Sequence, residues 1–215
     1  MAQAQAQAPY QSQFQPPLFE VQQWTKSFPA ATAITATTAT TPAENEKYVI
    51  STDPSLISLS ALNHAFNQKY VYWAKPLPEP VLKDLVQRSL CFGVYRCNSN
   101  NDADNDNQNG AVDAANDAAG FTQVGFARLI TDNVTFAYLT DVYVLPEYQG
   151  TGLGTWLLEC INAWVDGHGE YFRRFMLVTV GERAKGYYER VMGAKTQGRE
   201  GEVFVMERRG KGALV

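Results

Sequence analysis

The chain has 215 residues, enough for one ordinary domain with a full core. Its formal net charge of −4 offers no basic surface for nucleic acid or an anionic membrane. Cys91, Cys97 and Cys160 are an odd set without paired spacing, which argues against a disulfide framework and for a reducing compartment. No apolar run approaches the ~18 residues that span a bilayer. The start, Met1 to Ala6, lacks the basic and apolar regions of a secretory signal, so a cytoplasmic protein is expected.

Residues 1–46 are rich in Gln, Ala and Thr and read as a low-complexity, disordered tail. Phe19 and Trp24 are exceptions that could dock on the domain or on a second subunit, leaving a homodimer open. The folded domain is expected over 47–209, with 210–215 as a basic tail. Tyr48 to Thr52 reads as a strand. Ser58 or Ser60 caps a helix reaching about Asn67, and Tyr70 to Lys75 is an aromatic loop. Pro80 suits the first turn of a second helix running to about Ser89, and Leu90 to Arg96 is a strand. Residues 98–119, dominated by Asn, Asp and Ala, form an insertion. Asp102, Asp104 and Asp106 are spaced as in a calcium loop, but Asn107 stands where glycine is needed and Asp113 where glutamate is, so a linker is the better reading.

Phe121 to Ile130 and Val134 to Leu145 read as a hairpin turning at Thr131-Asp132-Asn133. Leu153, Trp156, Leu157, Cys160, Ile161 and Trp164 then recur at helical spacing until Gly167 and Gly169. Phe175 to Val180 is a short buried strand, Glu182 to Met192 a helix stopped by Gly193, and Glu202 to Met206 a last strand.

Between the hairpin and the long helix lies Glu147-Tyr148-Gln149-Gly150-Thr151-Gly152-Leu153-Gly154. A strand feeding a glycine-rich turn and a helix start is an anion site. The first helical N–H groups lack internal partners, the helix dipole adds partial positive charge, and glycines let a phosphate approach the backbone. The spacing is neither the dinucleotide fingerprint nor a P-loop.

Together with the preceding Val142-Tyr143-Val144-Leu145-Pro146, this turn resembles the acetyl-CoA motif of the GNAT superfamily of N-acetyltransferases, with Gln149, Gly152 and Gly154 at its defining places. Ala184 to Ala194, containing Tyr187-Tyr188-Glu189-Arg190, resembles the family's second segment. Tyr72 to Lys75, Ser89 to Tyr95 and Val124 to Arg128 are similar to a subfamily of small microbial GNAT proteins. The resemblance covers about residues 47–207. It departs at Gly181, where the family often has Asn, and at Ala194, where it usually has Phe.

The resemblance implies an α+β fold, a mixed, mostly antiparallel sheet flanked by helices, that uses acetyl-CoA and needs no metal. It implies that Val142, Tyr143 and Val144 pair with the pantetheine through their backbone. Gln149, Gly150, Thr151, Gly152, Leu153 and Gly154 cradle the pyrophosphate, and Tyr188 serves as general acid to the leaving thiolate and contacts the cofactor. Asp141, in the strand beside the expected thioester site, could serve as base, or instead hold the hairpin or the amine. Tyr72 and Trp73 line the acceptor pocket or belong to the core, the core reading being slightly favoured. His64 and Cys160 read as structural and Glu147 as a solvated turn residue. The expected acceptor is a primary amine of a small molecule (amino sugar, polyamine, amino acid or xenobiotic), with no nucleic-acid or membrane partner. A peptide acetyltransferase, a non-catalytic acyl-CoA sensor and a nucleotide-binding α/β domain are the alternatives.

Overall fold

The computed structural model describes residues 20–29, 45–98 and 120–213. The remainder of the expected tail, the insertion from 99 to 119 with its acidic triplet, and residues 214–215 lie outside the described residues.

Eight strands form one sheet in the order β1-β2-β3-β4-β5-β6-β8-β7. They are β1 (Gln23–Pro29), β2 (Asn45–Ser51), β3 (Leu90–Cys97), β4 (Phe121–Thr131), β5 (Phe136–Val144), β6 (Arg174–Val180), β7 (Lys195–Glu200) and β8 (Val203–Arg209). Every neighbouring pair is antiparallel except β5 with β6, which is parallel. The parallel pair needs a crossover, supplied by helix α3 (Leu153–Gly167). Helices α1 (Leu59–Phe66) and α2 (Glu79–Gln87) join β2 to β3, and α4 (Glu182–Met192) follows β6. The mixed, mostly antiparallel sheet flanked by four helices is the expected α+β architecture.

The sheet buries both faces at its centre. One apolar cluster joins β3, β4 and β5 to α3 through residues such as Phe92, Leu129, Leu157 and Ile161; a second joins Leu62, Phe66, Leu82 and Val86 of α1 and α2 to Phe126 and Tyr143. The stripe expected on the long helix is buried, Cys160 included. Ser58 caps α1, its Oγ accepting from the Ala61 N–H at 3.0 Å. At the hairpin, Asp132 Oδ1 accepts from the N–H groups of Val134, Thr135 and Phe136, which tightens the turn read from Thr131-Asp132-Asn133.

Two strands escaped the sequence reading. Gln23–Pro29, assigned to the disordered tail, is β1, an edge strand on β2. It presents Trp24 and Phe28 to the core, where the Trp24 ring stacks on Phe92 at 6.0 Å and Phe28 sits 5.5 Å from Trp156. Lys195–Glu200, left unassigned, is β7, which pairs with β8. It contains no large apolar residue, so no alternation marks it.

Candidate active site

The site begins where two strands part. β5 and β6 pair over Phe136–Leu139 and Arg174–Leu177 only. Beyond that, β5 stays with β4 as far as Val144, opposite Gly125, whereas β6 stays with β8 as far as Val180, opposite Val203. The sheet is therefore open between the ends of β5 and β6.

A bulge in β5 sits at the opening. Tyr143 opposes Phe126 and Thr140 opposes Arg128, so Asp141 and Val142 together face Ala127. Asp141 takes the bulge conformation at φ 53°, an uncommon state for a non-glycine residue. Its carboxylate accepts from Arg128 Nε at 2.7 Å and from Thr140 Oγ1 at 3.3 Å, and Arg128 Nη1 donates to Ser89 Oγ at 3.1 Å. The residue expected as a possible base is thus already ion-paired.

Past the bulge, the Leu145 N–H donates to the Val124 carbonyl at 2.9 Å, so alternation turns the N–H and C=O of Val144 away from β4 and toward the gap. The Val144 carbonyl accepts from Gln149 Nε2 at 2.8 Å. Gln149 therefore folds the turn back onto the strand end. Thr151 Oγ1 donates to the Tyr148 carbonyl at 2.8 Å and accepts from the Leu153 N–H at 3.4 Å. The side chains of Gln149 and Thr151 thus bind backbone groups of the turn and hold its shape.

The glycines have separate reasons. Gly152, the residue before α3, sits at φ 100°, and a Cβ there would come within 3.2 Å of the Phe28 ring. A Cβ on Gly154 would meet the Tyr187 hydroxyl at 3.2 Å and the Val144 side chain at 3.9 Å. Gly152 and Gly154 both border a cleft of about 890 Å³, together with Val142, Tyr143, Val144, Gln149 and Gly150. Thr151 and Leu153 do not line it, and the Leu153 side chain is fully buried in the core. Three residues not singled out in the sequence also face the cleft from α4: Arg183, Tyr187 and Arg190. Arg190 stacks over the Tyr187 ring at 5.6 Å, and the Tyr187 hydroxyl lies 3.3 Å from Thr155 Oγ1. The helix start and two guanidinium groups therefore border one cleft, a set that suits a polyanionic ligand. Their position one, five and eight residues into α4 beside Tyr188 was the available signal.

A second cavity of about 320 Å³ opens on the other side of the gap, lined by Tyr72, Tyr138, Thr140, Asp141 and Val178 among others. Trp73, Val142, Val180 and Tyr188 border both cavities. Tyr188 is half-buried, and burial followed by the neighbouring Tyr187 and Tyr72 pushes its phenol up to about 12. Among the described residues its hydroxyl has no hydrogen-bond partner. Tyr72 and Trp73 meet edge to face at 5.0 Å and are 67% and 44% exposed, so the core reading of this aromatic pair does not hold.

The other singled-out residues lie apart from the opening or shape its edges. His64 is exposed and lies 3.2 Å from Gln68 Nε2, and Glu147 is exposed. Gly181 precedes α4 at φ 85°, its N–H donating to the Glu202 carbonyl at 2.8 Å, and Ala194 is buried in the core. Among the described residues no cluster of three or more His, Cys, Asp or Glu side chains is arranged to hold a metal ion.

An opened mixed sheet, with a glycine turn and helix start at the opening, is the architecture expected of an acyl-CoA N-acyltransferase domain. Residues 82–194 match the family model described as the acetyltransferase (GNAT) family. A candidate acetyltransferase of Gibberella zeae is 43% identical over 133 residues, which is 61% of this chain and 71% of that protein. The crystal structure of a candidate GNAT acetyltransferase from Xanthomonas campestris pv. campestris is 31% identical over 66% of this chain and 81% of that one, with a TM-score of 0.48. A domain from Methanocaldococcus jannaschii, 12% identical, shares the fold over 76% of this chain and 99% of its own, with a TM-score of 0.51. The chain belongs to the GNAT acetyltransferase family and is an acyltransferase.

Proposed function

We propose that this protein is an acetyl-CoA-dependent N-acetyltransferase acting on a primary amine of a small molecule, by direct attack in a ternary complex. The observation that carries the reading is the pair of cavities meeting at the β5–β6 opening, with Tyr188 bordering both. One side, with the α3 start, Arg183 and Arg190, suits the phosphates of coenzyme A. The narrow space at Gly154, which a Cβ would fill, is where backbone can approach such a ligand. The other side admits the amine.

In this reading the Val144 N–H donates to the thioester oxygen as charge builds there. The neutral amine attacks the carbonyl carbon, a C–N bond forms and the C–S bond breaks. Tyr188 gives its phenolic proton to the departing sulfur, and the ammonium proton leaves through water. A phenol held at about 12 is protonated throughout the working range, as a general acid must be. Asp141 acts by holding the bulge: as a base it would have to give up Arg128. The three free cysteines fit a cytoplasmic location. Among the described residues, no helix is long and apolar enough to cross a membrane.

The test is release of free thiol from acetyl-CoA across a panel of amines. Amine-dependent release supports the enzyme, whereas binding of acetyl-CoA with no release for any amine would make the site a sensor.

A further inference from the structure

Resting on the N-acetyltransferase reading, we infer that the acceptor is a small monoamine with an apolar, aromatic-sized body, and neither a polyamine nor an amino sugar. The acceptor-side cavity is walled by Tyr72, Trp73, Tyr138 and Tyr188 and floored by Val178 and Val180. Among the described residues no lysine, arginine or histidine lines it, and the one carboxylate there, Asp141, is committed to Arg128 at 2.7 Å.

This composition selects by charge number and by polarity. One ammonium can lie against aromatic faces, which attract cations. The further ammonium groups of a polyamine would find no free anionic partner, and burying an unpaired charge is costly. The hydroxyls of a sugar would meet mostly apolar walls and lose their water. An aromatic or branched apolar body fits the corner made by the perpendicular Tyr72 and Trp73 rings. The apolar surface continues outward, since Val178 and Val180 are 46% and 41% exposed on the sheet face turned from α3. The volume of about 320 Å³ suits a small ligand.

The inference is tested with the full chain on two readouts. The first is kcat/KM with acetyl-CoA for 2-phenylethylamine, tryptamine, spermidine, glucosamine and a hexapeptide with a free N-terminus. The second is calorimetric binding of the same amines to the CoA-loaded protein. The arylalkylamines should lead spermidine and glucosamine by roughly 10-fold or more on both. Tyr72→Ala should raise the KM for 2-phenylethylamine ~5–10-fold and leave that for acetyl-CoA in place. Spermidine or glucosamine in the lead overturns the acceptor class while the acetyltransferase reading stands. The hexapeptide in the lead overturns it in favour of a protein substrate. Preferential arylalkylamine binding without turnover upholds the cavity's selectivity for such amines but sinks the enzyme reading, and absence of any binding preference overturns the acceptor class.

Discussion

Asp141 and Arg128 form a 2.7 Å ion pair across the bulge in β5, with side chains 10% and 15% exposed. The pair holds a residue at positive φ three positions before Val144, whose backbone faces the opening. Arg128→Met leaves the carboxylate without its cation, so stability should fall by about 2–4 kcal/mol, read as a lower urea midpoint. Asp141→Asn should slow turnover about 10-fold yet keep the acid limb of the kcat/KM profile. Disappearance of that limb would make Asp141 the base after all.

Tyr188→Phe should bind acetyl-CoA with unchanged affinity and lose ~100-fold or more in kcat. Unchanged turnover would remove Tyr188 from the chemistry. The pH profile carries its own test. Burial raises this phenol from 10.0 to about 12, so it stays protonated past pH 10 and should impose no alkaline fall on kcat below that. The same sign governs stability: the contribution from the neutral phenol is intact below about pH 10 and is lost as pH climbs toward 12. Alkaline titration of the melting temperature in wild type and Tyr188→Phe reads the difference.

Gly154→Val fills the narrow space between Tyr187 and Val144. Helix propensity favours a side chain there, but the valine must displace the Tyr187 hydroxyl, so the fold should survive at a cost of about 1–3 kcal/mol. Affinity for acetyl-CoA should drop at least ~10-fold. Equal binding by calorimetry would show that the ligand backbone does not pass at Gly154.

Phe28 is 8% exposed, packs against Tyr48 and Trp156, and has its ring 3.2 Å from where a Cβ on Gly152 would stand. Phe28→Ala should destabilise the domain by about 2–4 kcal/mol, toward the lower end because β1 is an edge strand. It should also weaken acetyl-CoA binding, because it loosens the support of the glycine turn. A stability loss with unchanged affinity would separate β1 from the site.

Much of this was legible in the sequence because periodicity and turn chemistry agree with the fold. The apolar repeat from Leu153 to Trp164, the Asp132 turn and the strand around Phe92 each state one structure. The glycine turn was legible as a candidate site from its place between a strand and a helix start, and the fold gives Gly152 a positive φ and Gly154 a close approach. What stayed hidden depends on pairing across the chain. β1 offers only the part-buried Trp24 and the buried Phe28 as anchors within a polar stretch, and β7 is held by β8 instead of by side chains of its own. The bulge at Asp141 has no glycine to announce it, and its reason, Arg128, lies on the neighbouring strand. The arginines of α4 reach the cleft only because the fold lays that helix along it.

The short strand at the chain's start also has a protective consequence. β2 carries Tyr48, Val49 and Ile50, all buried, and its outer rim of backbone N–H and C=O groups is matched by β1. β1 itself is largely exposed, with Lys26 at its middle and Pro29 at its end, features that discourage another strand from adding on. A shortened chain beginning after residue 29 would bare this row of unpaired backbone groups beside apolar side chains, ready to recruit a strand from another molecule. Such a chain should be prone to aggregate, because the seven residues of β1 are what cover that rim.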